Sequence, residues 1–310
     1  MTTFNLSERD GCALCGAHDA SVFIPFPQIP VVRCAQCGFI YSRNILSGKE
    51  MESYYENGFG SKRQMQGQIV NSKINLMALE RLVNLQNIRN ILDVGTGYGF
   101  LLRELANRYG KLNAAGVELS RQEAEFAKND LGLYVINSIL GDSGLTKDSF
   151  DLVAAFEVIE HVPYPIEFIL ELTEFVKHGG YLLIMTDNFD SRMANSLGAG
   201  FPKWIPHSHI SHFSPLTLRK AIEDTKKLEI VESMSYTPWE VLLRNAYYKI
   251  RGINKKPSEA FDLTTTLSTE MHGTYKLFAI RNLFNRLWAR ITLSNNMDGD
   301  LMYFLCRKIA

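Results

Sequence analysis

Ile91-Leu92-Asp93-Val94-Gly95-Thr96-Gly97-Tyr98-Gly99-Phe100 decides the fold of this 310-residue chain. An apolar strand ends in an acid, runs into three alternating glycines, and continues into Leu101-Leu102-Arg103-Glu104-Leu105, which reads as a helix. Glycines at such a turn open backbone angles closed to other residues and let a ligand approach the main chain. A strand–glycine loop–helix unit points to a nucleotide-like cofactor at the carboxyl end of a parallel sheet. The spacing separates the candidates. A dinucleotide fingerprint wants a third glycine where Phe100 stands, and a phosphate-cradling loop wants Gly-Lys-Ser/Thr, which is absent. Asp93 before the loop suits a cationic, amino-acid-bearing ligand better than a pyrophosphate.

Working outward from this loop, the chain alternates strand and helix signals, as a parallel sheet with crossover helices requires. Asn90–Val94 is followed by a helix over Phe100–Arg108, a strand over Ala114–Leu119, and a helix that Ser120 caps and that runs through Ala127. Short strand Leu133–Ile136, strand Phe150–Phe156 and helix Ile166–Val176 follow, the helix opened by Pro163 and Pro165 and stopped by His178-Gly179-Gly180. Strand Gly180–Met185, helix Pro215–Glu223, strand Leu228–Ser235 and strand Asp300–Lys308 complete the series. Glu118, at the end of the second strand, stands where such folds place a carboxylate that accepts from ribose hydroxyls.

The glycine loop resembles motif I of class I S-adenosylmethionine (SAM) methyltransferases. Glu118, Phe150-Asp151-Leu152-Val153, the run through Glu160-His161-Val162, and Gly179-Gly180-Tyr181-Leu182-Leu183-Ile184 resemble further landmarks of that family in the same order. The resemblance, of the methyltransferase-23 kind, covers nearly the whole chain apart from the late insertion. The resemblance implies an α/β, Rossmann-like seven-stranded sheet whose last two strands form a hairpin. It implies SAM as methyl donor, with Asp93, Gly95, Gly97, Glu118, Ser138 and Glu157 as donor-binding positions. Asn137, Ser138 and Asp142 occupy the neighbourhood of the family's adenine contact, where a clear acidic residue is missing. Glu157-Val158-Ile159-Glu160-His161 resembles the ExxEH segment of ubiquinone-pathway O-methyltransferases, which is associated there with a divalent metal. Magnesium on these side chains is the lesser reading, because it prefers all-oxygen ligand sets.

Cys12, Cys15, Cys34 and Cys37 form two CxxC pairs, each followed by glycine (Gly16, Gly38). With short strands Val22–Ile24 and Ile29–Val32 between them, this is the pattern of a zinc ribbon. Four thiolates leave no open metal position, so the expected role of the zinc is structural, and it would staple a stub too small to build its own core. Cys306 reads as a core residue.

Lys+Arg and Asp+Glu both total 33, so a broad nucleic-acid surface is not expected. The polar first ten residues do not read as a signal peptide, and no apolar run reaches the roughly 20 residues that span a bilayer. The default is a soluble cytoplasmic protein.

Two histidines are candidate bases, His161 after the fourth strand and His209 in the segment from Asn188 to Ser214. That segment shows no regular pattern but carries Trp204, His207 and His212 as well, and it resembles the acceptor-facing loop of sugar and small-molecule methyltransferases. Tyr54 and Tyr55, in a helical segment before the sheet, are candidates to face the donor pocket. From Thr237 to Met297 runs an insertion with nine basic residues against Glu240, Glu259, Asp262 and Glu270. Within it Leu277, Ile280, Phe284, Leu287, Trp288 and Ile291 recur at helical spacing, a stripe expected to be core. A lid over an anionic substrate such as a nucleotide-sugar and a membrane-surface helix over 275–293 are the other readings. The expected organisation is a zinc ribbon (1–45), helical cap (46–88), SAM-binding core (89–236), helical insertion (237–297) and final core strand (298–310). The expected activity is methylation of a small polar acceptor, such as a sugar or related metabolite, at oxygen. A sugar C-methyltransferase and a non-catalytic SAM- or partner-binding module are the alternatives.

Overall fold

The computed structural model describes residues 5–57, 61–252, 261–263 and 274–310. Lys255, Lys256, Glu259 and Glu270 of the insertion lie outside the described residues.

Strands β1 (Leu6–Glu8), β2 (Ala20–Ile24), β3 (Val31–Cys34), β4 (Ile40–Ser42) and β5 (Asn44–Leu46) form the N-terminal part. β3 starts later than the sequence reading placed it, because Pro30 has no N–H for the ladder. Helices α1 (Gly48–Asn57) and α2 (Lys62–Leu82) follow, the second opened by a capping box of Ser61 and Gln64.

The central sheet holds β6 (Asn90–Val94), β7 (Asn113–Glu118), β8 (Tyr134–Asn137), β9 (Phe150–Phe156), β10 (Val176–Asp187), β12 (Leu228–Tyr236) and β13 (Leu301–Lys308). Its order is β12-β13-β10-β9-β6-β7-β8. β6 to β10 pair in parallel, while β13 runs antiparallel to both β10 and β12. The closing hairpin expected from the family resemblance is therefore present. β10 begins ten residues before Thr186, at Val176, rather than at Gly180. The His-Gly-Gly run does not separate helix from strand but sits in a register irregularity between Val176 and Tyr181.

Both faces of the sheet are covered, which is why its parallel strands read as continuous apolar runs. Leu92, Val153, Ala155 and Ile184 face one core with α5 (Pro165–Phe175) and α7 (Pro215–Asp224). Ile91, Leu152, Ala154 and Leu183 face the other with α2 and α3 (Phe100–Arg108). Helix α4 (Arg121–Asn129) covers the β8 end through Ala124 and Ala127. Cys306 is fully buried in the first core, as expected.

Two expectations fail. The segment after β10 is not irregular: it contains α6 (Arg192–Leu197) and a two-residue strand, β11 (Ser211–His212). β11 pairs antiparallel with β4, so the cysteine-bearing sheet has the order β11-β4-β3-β2 and includes a strand from the far side of the chain. The stripe expected as core is instead exposed, except at Trp288. Helices α8 (Trp239–Arg251) and α9 (Phe278–Thr292) make up the described insertion, with Leu277 (75%), Ile280 (65%) and Ile291 (79%) open to solvent. α9 packs through an adjoining arc, where Asn285 and Ala289 are buried and where Trp288 of the stripe turns inward, its Nε1 donating to Thr237 O (2.8 Å). The small Ala289 lets α9 lie close to the rest of the protein, so amphipathic spacing alone misassigned the buried arc.

Candidate functional site

The carboxyl ends of β6, β7, β9 and β10 present two groups of side chains. The first surrounds the glycine loop. Gly95 and Gly97 have φ of 72° and 57°, which favour glycine. A Cβ at Gly95 would stand 2.5 Å from Val158 Cγ2, and one at Gly97 would overlap the Gln68 carboxamide. Asp93 is buried at the end of β6, and its Oδ2 accepts from Thr96 Oγ1 (2.8 Å). Burial, with the Glu118 charge adding, raises its pKa to about 7, although the Thr96 hydrogen bond opposes this. Glu118 accepts from Gly97 N–H on Oε2 and from Ser120 N–H on Oε1, both at 2.7 Å. Burial still raises its pKa. Ser138 sits beyond β8 and donates to Ile139 O (2.9 Å), while Asn137 ties β8 to the Glu118 and Leu119 carbonyls.

The second group lies around β9 and β10. Glu157, at φ 54° directly after β9, accepts from Asn71 Nδ2 (3.1 Å) and lies 3.4 Å from Lys203 Nζ. It thus belongs to this group rather than to the glycine loop. Lys203 Nζ is 2.9 Å from Asp187 Oδ1, and His209 Nδ1 is 3.1 Å from Asp187 Oδ2. Burial alone would raise the Asp187 carboxyl, but Lys203 and His209 hold it well below the usual range. Lys203, in turn, is kept charged by Asp187 and Glu157 against the cost of burial. His161 Nδ1 lies 2.9 Å from Ser208 O. A carbonyl only accepts, so Nδ1 carries the proton and Nε2 offers its lone pair. Burial, with the neighbouring His209 adding, lowers the His161 pKa to about 3, so the ring is neutral. The His161 and His209 rings meet edge to face with centroids 4.8 Å apart. Glu160 is fully buried. Its Oε2 accepts from Thr186 Oγ1 (2.8 Å), and Oε1 has no hydrogen-bond partner among the described residues.

The structure therefore brings His161 and His209 together from two distant segments. It also supplies residues that sequence reading missed. Asp187 had a readable signal, an acid at the carboxyl end of a parallel strand. Lys203 and Ser208 had none. Gln68, Asn71 and Asn75 repeat at helical spacing along α2 and lie over the sheet edge. Gln68 accepts from Tyr98 N–H (2.9 Å) and Asn75 from the Tyr303 hydroxyl (3.1 Å). Tyr54 and Tyr55 pack against His207 and His161, on the histidine side rather than over the glycine loop. His212 and Trp204 pack with Phe189 in a buried cluster, at centroid distances of 4.5 and 4.6 Å.

Beyond Asn71 a cavity of about 190 Å³ opens between α2, the ends of β10, β12 and β13, and the insertion. Asn75, Tyr236 and Tyr303 line it, with Arg281 and Glu240 paired at 2.9 Å. Tyr236 is almost fully buried, and its hydroxyl has no partner among the described residues.

The four N-terminal cysteines are free thiols gathered in one cluster, with Cys12–Cys37 and Cys15–Cys34 sulfurs 3.6 and 3.5 Å apart. Tetrahedral zinc with bonds of about 2.3 Å sets sulfurs about 3.8 Å apart, so the donor set fits that ion. Gly16 N–H to Cys12 O and Gly38 N–H to Cys34 O close two matching turns.

The family profile of the methyltransferase domain matches residues 62–226, more than half of the chain. The chain belongs to the class I SAM-dependent methyltransferases. The ubiquinone biosynthesis O-methyltransferase of Vibrio parahaemolyticus is 26% identical over 163 residues, covering 48% of this chain and 68% of that protein. The mitochondrial ubiquinone biosynthesis O-methyltransferase of Candida albicans is 34% identical over 109 residues, covering 32% and 33%. The chain thus spans from a third to about two thirds of the length of these relatives. In fold it is similar to a SAM-dependent methyltransferase from Thermotoga maritima (TM-score 0.50, 18% identity, covering 84% of this chain and 95% of that one). It is also similar to phosphoethanolamine N-methyltransferase 2 of Haemonchus contortus, solved with S-adenosyl-L-methionine (TM-score 0.51, 15% identity, 87% and 63%). Among the described residues no helix is long and apolar enough to cross a membrane.

Proposed function

We propose that this protein methylates a hydroxyl oxygen of a small polar acceptor, a sugar, glycan precursor or related metabolite, with SAM as donor. The observation that carries this reading is the neutral His161 beside the Asp187–His209 pair, at the sheet edge next to the glycine loop. Asp93, Gly95, Gly97 and Glu118 fit the donor. The glycines leave the backbone bare where a Cβ would collide, Glu118 suits the ribose, and Asp93 is poised to ionise beside a cationic amino-acid group. Bound SAM supplies a methyl group on a sulfonium already activated for displacement, so the protein chiefly has to align the acceptor and exclude water.

His161 Nε2 or His209 Nε2 removes the acceptor proton as its oxygen bonds to the methyl carbon. The carbon–sulfur bond breaks with its electron pair to sulfur, leaving S-adenosylhomocysteine (SAH). Asp187 keeps the His209 ring oriented, and Lys203 holds Asp187 ionised and lies beside Glu157. The cavity next to Asn71 is the proposed acceptor pocket, since its amides, tyrosine hydroxyls and paired charges suit a neutral hydroxyl-rich ring. The naming of the matched relatives as O-methyltransferases supports oxygen over carbon. The cysteine cluster is proposed to hold structural zinc.

Calorimetry with SAH tests the donor half, and absence of binding removes the reading. Incubation of labelled SAM with the low-mass fraction of a cell extract tests transfer. His161→Gln and His209→Gln, made separately, are expected to leave SAH affinity within about twofold, and at least one to lower transfer by about a hundredfold or more. Unchanged turnover in both removes the histidine base.

A further inference from the structure

The cysteine-bearing sheet reaches the candidate site through two side chains that flank its metal-binding turns. Arg9 stands three residues before Cys12, and its Nη2 donates to Pro163 O at 2.8 Å. The guanidinium also lies over the Tyr41 ring, 5.6 Å from its centroid. Pro163 follows His161 by two residues. Ser42 stands five residues after Cys37, at the end of β4, and is fully buried. Its hydroxyl donates to Pro206 O (2.8 Å), and its N–H donates to Ile210 O (3.0 Å). These two acceptors bracket Ser208 and His209. Tyr41 and Ile40 continue the grip by pairing with Ser211 and His212 of β11. The two gripped segments are also joined to each other, because Ile210 N–H donates to Glu160 O (2.8 Å) and His161 meets Ser208 O.

We propose that the ribbon is a jig for the acceptor side of the site. Arg9 and Ser42 are positioning residues that set the loops carrying His161 and His209, and the cysteine cluster locks the two turns that they flank. The sequence offers no hint of this, since Ser42 and Pro206 are 164 residues apart and neither sits in a motif. The glycine loop and β6 make none of these contacts. The ribbon's state therefore bears on the histidines and not on donor binding; this rests on the acceptor side assigned above and holds for any acceptor.

The test uses the full-length protein, with amide hydrogen exchange over 159–163 and 206–212 and the imidazole nitrogen signals of all histidines as readouts. Ser42→Ala leaves the buried Pro206 carbonyl without its donor, so exchange over 206–212 is expected to quicken about tenfold. Arg9→Met is expected to do the same over 159–163. In both variants the His161 and His209 signals shift, those of exposed His18 and His178 stay, exchange over 90–94 is unchanged, and SAH affinity is kept. Removing metal from the wild-type protein with a chelator under reducing conditions is expected to loosen both segments together. The proposal is overturned if both variants leave those segments and the two histidine signals as they were. Exchange that rises evenly through the whole sheet, which marks simple destabilisation, overturns it as well. So does a chelated protein whose cysteine turns open while 159–163 and 206–212 keep their protection.

Discussion

The glycine-loop edge and the histidine edge lie side by side on one sheet but are built by opposite means. At the glycine edge, Asp93, Gly95 and Gly97 are consecutive or nearly so, and Glu118 reaches back to the Gly97 N–H across one β–α–β unit. At the histidine edge, Asp187 closes β10, Glu157, His161, Lys203 and His209 come from the segments after β9 and β10, and the contacts that locate them arrive from Arg9, Ser42 and Asn71. Local covalent order places the first group, and long-range packing places the second. The first should therefore tolerate damage elsewhere in the molecule, and the second should not.

The largest expected break in that contrast is Asp187→Asn. It leaves the Lys203 charge beside a neutral amide in a site where Asp187 itself is fully buried. A loss of about 3 kcal/mol is expected in denaturant unfolding, because Lys203 then keeps only its longer contact to Glu157 (3.4 Å) and loses its fully buried partner. Glu118→Gln is the matching change at the glycine edge. It should cost roughly 1 kcal/mol of stability or less, since an amide oxygen still accepts one of the two backbone N–H groups, yet it should weaken SAH binding at least tenfold by calorimetry.

Next in size is Gly95→Ala. Its Cβ meets the stiff, β-branched Val158 at a positive φ, whereas Gly97→Ala meets the flexible end of Gln68. SAH affinity should fall more for Gly95→Ala than for Gly97→Ala; the reverse order would mean that Val158 yields more easily than the structure implies.

Acid should separate the two edges more gently. Burial lowers His161 to about 3 and His207 to about 4, and pushes His212 well below its ordinary value. Below pH 6.5 the unfolded chain binds protons at these rings that the folded chain refuses, so their contribution to stability falls as pH drops from about 6.5 toward 4, while Asp93 at the glycine edge, raised to about 7, works in the opposite direction. Each ring contributes roughly 1 kcal/mol per pH unit in that window. Exchange measured across this range should show 206–212 opening before β6.

The smallest effect concerns Asp93. With its carboxyl near 7, it is increasingly ionised from pH 6 to 8, so SAH, which carries an ammonium group, should bind severalfold more tightly at pH 8. Flat affinity over that range would place the ammonium elsewhere.

Much of the fold was legible because its signals are local. Phe100–Arg108 and Phe150–Phe156 appear with the limits read from sequence, since a glycine turn and a run of apolar residues mark them. The α9 stripe was misread because spacing reveals an apolar arc but not what it packs against, and here the packed arc is the one containing Ala289 and Asn285. His209 was found by resemblance. Its partner Asp187 lay in plain view at a strand end, while Lys203 and Ser42 carried no pattern at all.

Residue order alone specifies the strand–glycine loop–helix unit, the acid at the end of the second strand, and two matched cysteine turns. Each depends on residues close in the chain, whose conformations are constrained by glycine, by strand pattern and by metal-ligand spacing. Packing in three dimensions is what gives the cysteine-bearing sheet β11 as its edge strand and sets Asp187 between Lys203 and His209. Those contacts join segments far apart in sequence, and they form because buried carbonyls and charges must find partners wherever the packed core brings them together.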